Sequence, residues 1–273
     1  MKRVVWLSVV VLFLVAAAAF GATLKVPSEY SSIQSGIEAA VDGDTVLVAP
    51  GVYYETINFT GKAITVTSTD PNDRGIVGYT IINADGDGSA VTFENGETSA
   101  AVLTGFTITG GFGTLNDTIE GDNVFWGGGI YCLRASPTIT KNVVASNRGP
   151  VQLGNTNADS RISYGGGIAC IESNATITHN VIRNNVGFAA GGLMLYIGKA
   201  FIANNVIYDN SAYVAGGVCL IGGTLLNNTI VGNNCNQGPG DGIGGNVYVI
   251  FEPQLGNGKI VNNIICNSPS GGG

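Results

Sequence analysis

Gly166-Gly167-Ile168, followed by Asn180-Val181-Ile182 and Asn185, is one copy of a phrase that recurs five times between Gly127 and the end of the chain. The copy before it reads Gly128-Gly129-Ile130, Asn142-Val143-Val144 and Asn147. Later copies read Gly191-Gly192-Leu193, Asn205-Val206-Ile207 and Asn210, then Gly216-Gly217-Val218, Asn228-Thr229-Ile230 and Asn233. A looser fifth holds Gly244-Gly245 and Asn263-Ile264-Ile265, and every copy sets an Ile or Leu three residues ahead of its first Asn. Self-similarity at such a period marks a solenoid, in which each repeat buries its apolar face only against its neighbours.

The repeat predicts three short strands per coil with one inward aliphatic position in each. The Gly-Gly strand carries Ile130, Ile168, Leu193 and Val218 inward; the second strand contributes Ile139, Ile177, Ile202, Leu225 and Ile260. Val144, Ile182, Ile207, Ile230 and Ile265 come from the third. The first Asn of each copy falls at the bend between second and third strands. Asn tolerates tight bends, and its amide can bond to the same amide one coil away, so a ladder is expected there. Cys132 and Cys170 share a repeat position with Leu195 and Leu220. They read as a stacked core row, with a disulfide between them left open because stacked strands lie within bridging distance.

Repeat length varies in a telling way. Asn142 to Asn180 is 38 residues, whereas the next two intervals are 25 and 23. Long excursions at 111–126, 148–164 and 235–243 all leave the third strand and re-enter just before the Gly-Gly strand. Insertions gathered at one corner of a solenoid form one wall, commonly the binding face.

Residues 1–22 read as a secretory signal peptide: Lys2 and Arg3, an apolar run from Val4 to Ala19, then Gly21 and Ala22. An uncleaved anchor is the rival reading; with cleavage the mature chain has no membrane span. Removing Lys2 and Arg3 leaves 10 basic against 19 acidic residues, a net charge of −9. An acidic chain without a basic cluster is unsuited to nucleic acid. Residues 23–43 read as an amino-terminal cap. Ser31-Ser32-Ile33-Gln34 has capping-box form, Ile33, Ile37, Ala40 and Val41 share a helical face, and Asp42-Gly43 closes the helix. Short strands between turns follow from Asp44, and residues 44–273 form the solenoid. Asn267-Ser268-Pro269-Ser270-Gly271-Gly272-Gly273 reads as the opening of a further repeat, so the solenoid is expected to continue or to associate through its open end. The sequence leaves the oligomeric state open.

With these features the chain resembles the right-handed parallel β-helices of the pectate-lyase-like superfamily. Its opening phrase carries the likeness: Val26-Pro27-Ser28-Glu29-Tyr30, Ile33-Gln34, Asp42-Gly43-Asp44-Thr45-Val46-Leu47-Val48 and Pro50-Gly51-Val52-Tyr53. The resemblance implies an all-β, right-handed parallel β-helix with a short amino-terminal capping α-helix, on the order of eight coils at ~4.8 Å each. It implies a secreted or surface protein that binds or processes polysaccharide. The Gly-Gly-Ile and aliphatic-x-x-Asn pairing is also similar to the repeats of polymorphic outer-membrane proteins, which implies a non-catalytic adhesin or scaffold. Those repeats favour Phe where this chain has Val144, Ile182, Ile207 and Ile230.

In lyases of the superfamily an Arg or Lys abstracts a proton beside a uronate while acidic residues hold Ca²⁺. Such groups would project from the Gly-Gly strand, where this chain offers Tyr131, Ala169, Met194 and Cys219. That row supplies neither a base nor Ca²⁺ ligands, so hydrolysis or binding is expected ahead of β-elimination. Asp117, Glu120, Asp122 and Asp159 are the candidate carboxylates for hydrolysis of a glycosidic bond. Trp126, Tyr131 and Tyr164 are candidate sugar platforms, with Arg148 and Arg161 for acidic groups. The expected site is the groove between the outward Gly-Gly row and the inserted loops. The lone His179 sits before a ladder Asn on another face. Asn83, Asp85, Asp87 and Glu94 match the spacing of a Ca²⁺-binding EF-hand loop. Their flanks, Thr80-Ile81-Ile82 and Val91-Thr92-Phe93, read as strands, which favours a turn between coils.

Overall fold

The computed structural model describes residues 21–119, 122–152, 161–235, 244–250 and 258–266. Most of the segment read as a signal peptide, residues 1–20, lies outside the described residues, as do the excursion at 236–243 and residues 267–273. The chain is a parallel β-helix. A 14-stranded sheet holds the first and second strands of the coils, and an eight-stranded sheet holds one third strand per coil.

The repeat register fixes the stacking. Ile130 pairs with Ile168, Ile168 with Leu193, Leu193 with Val218, and Val218 with Val247. Ile139, Ile177, Ile202, Leu225 and Ile260 form the second row, and Val144, Ile182, Ile207, Ile230 and Ile265 the third. Down to Val218, Leu225 and Ile230 these residues join one continuous apolar core running along the axis, with Val247 packed against it, whereas Ile260 and Ile265 of the last described coil, expected inward, are exposed. Cys132 and Cys170 lie in that core as free thiols. Burial and each other's proximity push the Cys132 thiol well above its ordinary range.

Two Asn ladders line the bends. In the first, Asn142 accepts from Phe106 N–H, and Asn180, Asn205, Asn228 and Asn263 each accept from the Asn one coil earlier, with Nδ2–Oδ1 distances from 3.0 to 3.3 Å. The second Asn of the phrase builds a parallel ladder through Asn147, Asn185, Asn210 and Asn233. Apart from the half-buried Asn263, both are buried and spend their remaining donors on core-strand carbonyls, so they serve as the polar frame of the bends. The Gly pair makes room for the second ladder. A Cβ at Gly129, Gly167, Gly192 or Gly217 would come within 2.7–3.1 Å of an Asn amide nitrogen. In the fifth coil the register departs from the sequence pattern. Asn246, in place of the second Gly, puts its own side chain into the ladder and accepts from Asn233 Nδ2 at 2.9 Å.

The amino-terminal end differs in detail from the expected cap. Helix α1 spans Ile33–Ala39, with Ser32 as N-cap and Ser35 completing the capping box. Gln34 instead bonds across to the backbone of Asn58. The Glu55 carboxylate accepts from Ile33 and Gln34 N–H, and Lys62 Nζ caps the other end through the carbonyls of Ile37, Glu38 and Ala40. Val41 leaves the helical face and is exposed. A strand unseen in the sequence, Thr23–Val26, pairs with Thr45–Val48 and extends the large sheet. A second unforeseen element, α2 (Arg74–Tyr79), starts at an Asp73 N-cap and packs Val77 against the third-strand sheet.

Candidate functional site

The excursions build a structure of their own. Thr114–Ile119 and Asp122–Trp126 form an antiparallel hairpin, Val151–Gln152 pairs with Arg161–Tyr164, and the two pairs join as a small four-stranded sheet. Val124, Trp126 and Ile162 of this sheet close over Tyr131, Ala169, Met194 and Cys219 as a second apolar core.

The expected groove is therefore filled. Trp126 is 3% exposed, Tyr131 0% and Met194 3%, so neither ring offers a free face to a sugar. Trp126 spends its faces on Tyr164 and Tyr196, at centroid distances of 4.7 and 5.6 Å. The physical reason lies in the row itself: an apolar outward row beside apolar insertion strands gains more from mutual burial than from water. The Tyr131 hydroxyl is buried without a hydrogen-bond partner, and burial pushes it far above the phenol range. Cys219 is pushed up to about 12 by the same desolvation.

The remaining sequence candidates scatter. Arg161 is exposed and lies over the Phe125 ring at 5.5 Å, while Arg148 is exposed beside a hollow formed with Phe112, Gly149 and Val151. Asp117 and Asp122 belong to the hairpin strands, Asp117 paired with Val124 and Asp122 with Ile119. Glu120 and Asp159 lie outside the described residues. Asn83, Asp85, Asp87 and Glu94 are not a metal cage. Asn83 Oδ1 accepts from Asp85 N–H in a turn at 2.9 Å, and Glu94, beyond a strand of the other sheet, accepts from Asn58. Among the described residues no cluster of three or more His, Cys, Asp or Glu could hold a metal ion.

An open concave feature lies elsewhere, on the outer face of the third-strand sheet. Outward positions stack there as Thr107, Val143, Val181, Val206 and Thr229, with Ala145, Arg183, Tyr208 and Val231 beside them. At one end α2 and its lead-in stand over the sheet, and Pro71, Asn72, Arg74 and Val77 make a wall. The trough encloses about 490 Å³, floored by Val143, Val181 and Val206. Lys141 and His179 edge it, and Lys141 Nζ donates to Asn72 Oδ1 at 2.7 Å.

Sequence reading missed this site because its wall, α2, carries only a weak signal: an Asp N-cap before a short, Gly-rich segment. The edge residues were legible as an exposed row but had nothing opposite them. No family model matches the sequence, and neither characterised proteins nor solved structures give a match to the chain. Among the described residues no helix is long and apolar enough to cross a membrane.

Proposed function

We propose that this chain is an exported β-helix protein of the pectate-lyase-like type that binds extracellular polysaccharide without cleaving it. The observation that supports this reading is the second apolar core. Lyase chemistry needs a base and Ca²⁺ ligands on the outer Gly-Gly row, and here that row is packed against Trp126, Val124 and Ile162. The outer face of the third-strand sheet, by contrast, leaves a long trough open to an extended polymer.

The test is a polysaccharide panel read three ways: retention, new reducing ends and the absorbance of unsaturated uronates. Retention without either product is the expected result. Reducing ends would assign hydrolysis to the loop carboxylates, and unsaturated uronates would assign elimination. Failure of every polymer to be retained would leave a carbohydrate-independent scaffold.

A further inference from the structure

The edge of the trough is a rail of like positions. Lys141, His179, Asn204, Asn227 and Asn262 each precede a ladder Asn, and all five take the left-handed conformation, with φ between 52° and 58°. Backbones of this kind favour Asn and Gly, since a Cβ is strained there. Asn204, Asn227 and Asn262 follow that preference; Lys141 and His179 do not. All five side chains are exposed, one per coil and so ~4.8 Å apart along the axis. The two exceptions are the two that line the trough beside α2.

Charge is partitioned in the same direction. The whole chain carries 19 acidic residues against 12 basic, yet the trough lining includes Arg74, Lys141 and His179 and no carboxylate. The nearest acids of the wall are committed to its turn: Asp70 accepts from Asn72 N–H at 2.9 Å, and Asp73 from Gly75 N–H at 2.7 Å. Lys141 gives one donor to Asn72 and keeps two, since an ammonium has three. Beyond His179 the rail is neutral amide, able both to donate and to accept, beside the aliphatic floor of Val181 and Val206.

We propose that the trough binds an extended glycan along the coil axis. An anionic substituent of the glycan, carboxylate or sulfate ester, is held at the α2 end by Lys141, Arg74 and His179. Hydroxyls of the following sugars meet Asn204 and Asn227, and their C–H faces lie on Val181 and Val206. The site involves no metal and stands on a different sheet from the filled Gly-Gly face. This inference rests on the polysaccharide-binding reading and adds the site, the direction and the charge of the ligand.

The experiment measures binding of the intact protein to a neutral β-glucan, a carboxymethylated form of the same glucan and a sulfated form, each with and without EDTA. The variant Lys141→Asn with His179→Asn makes the rail Asn throughout and suits its backbone. A charge-assisted hydrogen bond contributes ~1.5–3 kcal/mol, so the double variant should lose about tenfold or more in affinity for the anionic glucans. Affinity for the neutral glucan should fall far less than affinity for the anionic ones, and the melting temperature should not fall. Preference between the carboxymethylated and sulfated forms identifies the anionic group. Equal wild-type affinity for all three glucans would overturn the charge assignment while leaving polysaccharide binding intact. Undiminished anionic binding by the double variant, or its abolition by EDTA, would overturn the site. Retention of none would remove the polysaccharide reading itself.

Discussion

Met194 and Val206 are both outward-facing residues of one coil, yet Met194 is 3% exposed and Val206 40%. The repeat treats the two positions alike, as an aliphatic or small residue on the outer side of a strand. What separates them is where the insertions fall. Excursions before the Gly-Gly strand return as a small sheet that covers one outer face. The insertion carrying α2 instead lands at one end of the other face and walls it without covering it. A solenoid's core follows from its repeat, whereas its usable surface is decided by the parts that break the repeat.

That contrast predicts its own most damaging substitution. Trp126→Ala removes the largest side chain of the second core, with its contacts to Tyr164 and Tyr196. Truncation of a buried Trp costs ~3–5 kcal/mol. A urea midpoint unchanged by this substitution would show that the small sheet does not stabilise the face it covers. The same substitution should speed hydrogen exchange of the Gly-Gly strand amides, with little effect on the third-strand sheet.

The Asn ladders are next. Asn205 accepts from the backbone and side-chain nitrogens of Asn180 and donates to Ile177 O and Asn228 Oδ1. Asn205→Ala leaves several of these buried groups unpaired, each costing about 1–3 kcal/mol, so a loss of ~3 kcal/mol is expected by denaturant titration. Asn205→Asp should fare little better, because it replaces two donors by a charge in the bend. A stability loss under 1 kcal/mol would mean that water takes over the ladder's bonds.

How much of this was readable follows from the same physics. Periodic stacking repeats one local solution, so Ile168, Leu193 and Val218 announced their register several times over. Burial of Tyr131 was not announced, because its partners Trp126 and Ile162 lie in excursions that occur once. An aromatic beside an insertion looks the same in sequence whether it awaits a ligand or a lid. Val41 and the Ser31–Gln34 phrase were misplaced by one residue or one turn, where the chain's exit from a two-turn helix is set by the distant Lys62 together with Asp44, whose carboxylate accepts from Val41 N–H. The EF-hand-like spacing spans a turn because its flanks are strands of two different sheets, Asn83 ending one and Glu94 following the other.

The closed face should also be felt in alkali. Cys219 is buried neutral, with its thiol raised from 9.0 to about 12. In the unfolded chain the thiol ionises first, so between pH 9 and 12 the unfolded state binds fewer protons and stability falls as pH rises. The contribution is fully present below pH 9. At pH 10 this one thiol accounts for a loss of ~1.4 kcal/mol. Tyr131 and Cys132, both raised by burial, act in the same direction. Urea midpoints at pH 7.5 and 10 measure the slope, and Cys219→Ala, which copies Ala169 two coils away in the same row, should flatten it. An identical slope in that variant would locate the alkaline sensitivity elsewhere.

The smallest effect is expected on the open face. Val206→Thr removes part of the trough floor, but Val206 is followed in its row by Thr229, and Thr107 holds the same position nearer α2. Thr keeps the β-branched shape a strand favours, and its hydroxyl there meets water. Surface changes of this kind fall within ~0.5 kcal/mol, so the melting curve should overlay that of the parent protein. Glycan affinity should fall in the same variant, because apolar area is lost where C–H faces would lie. A loss of stability approaching that of Trp126→Ala would mean that the third-strand face is itself covered in the native protein. In that case Val206 would belong, like Met194, to a packed layer, and the contrast between the two faces would disappear.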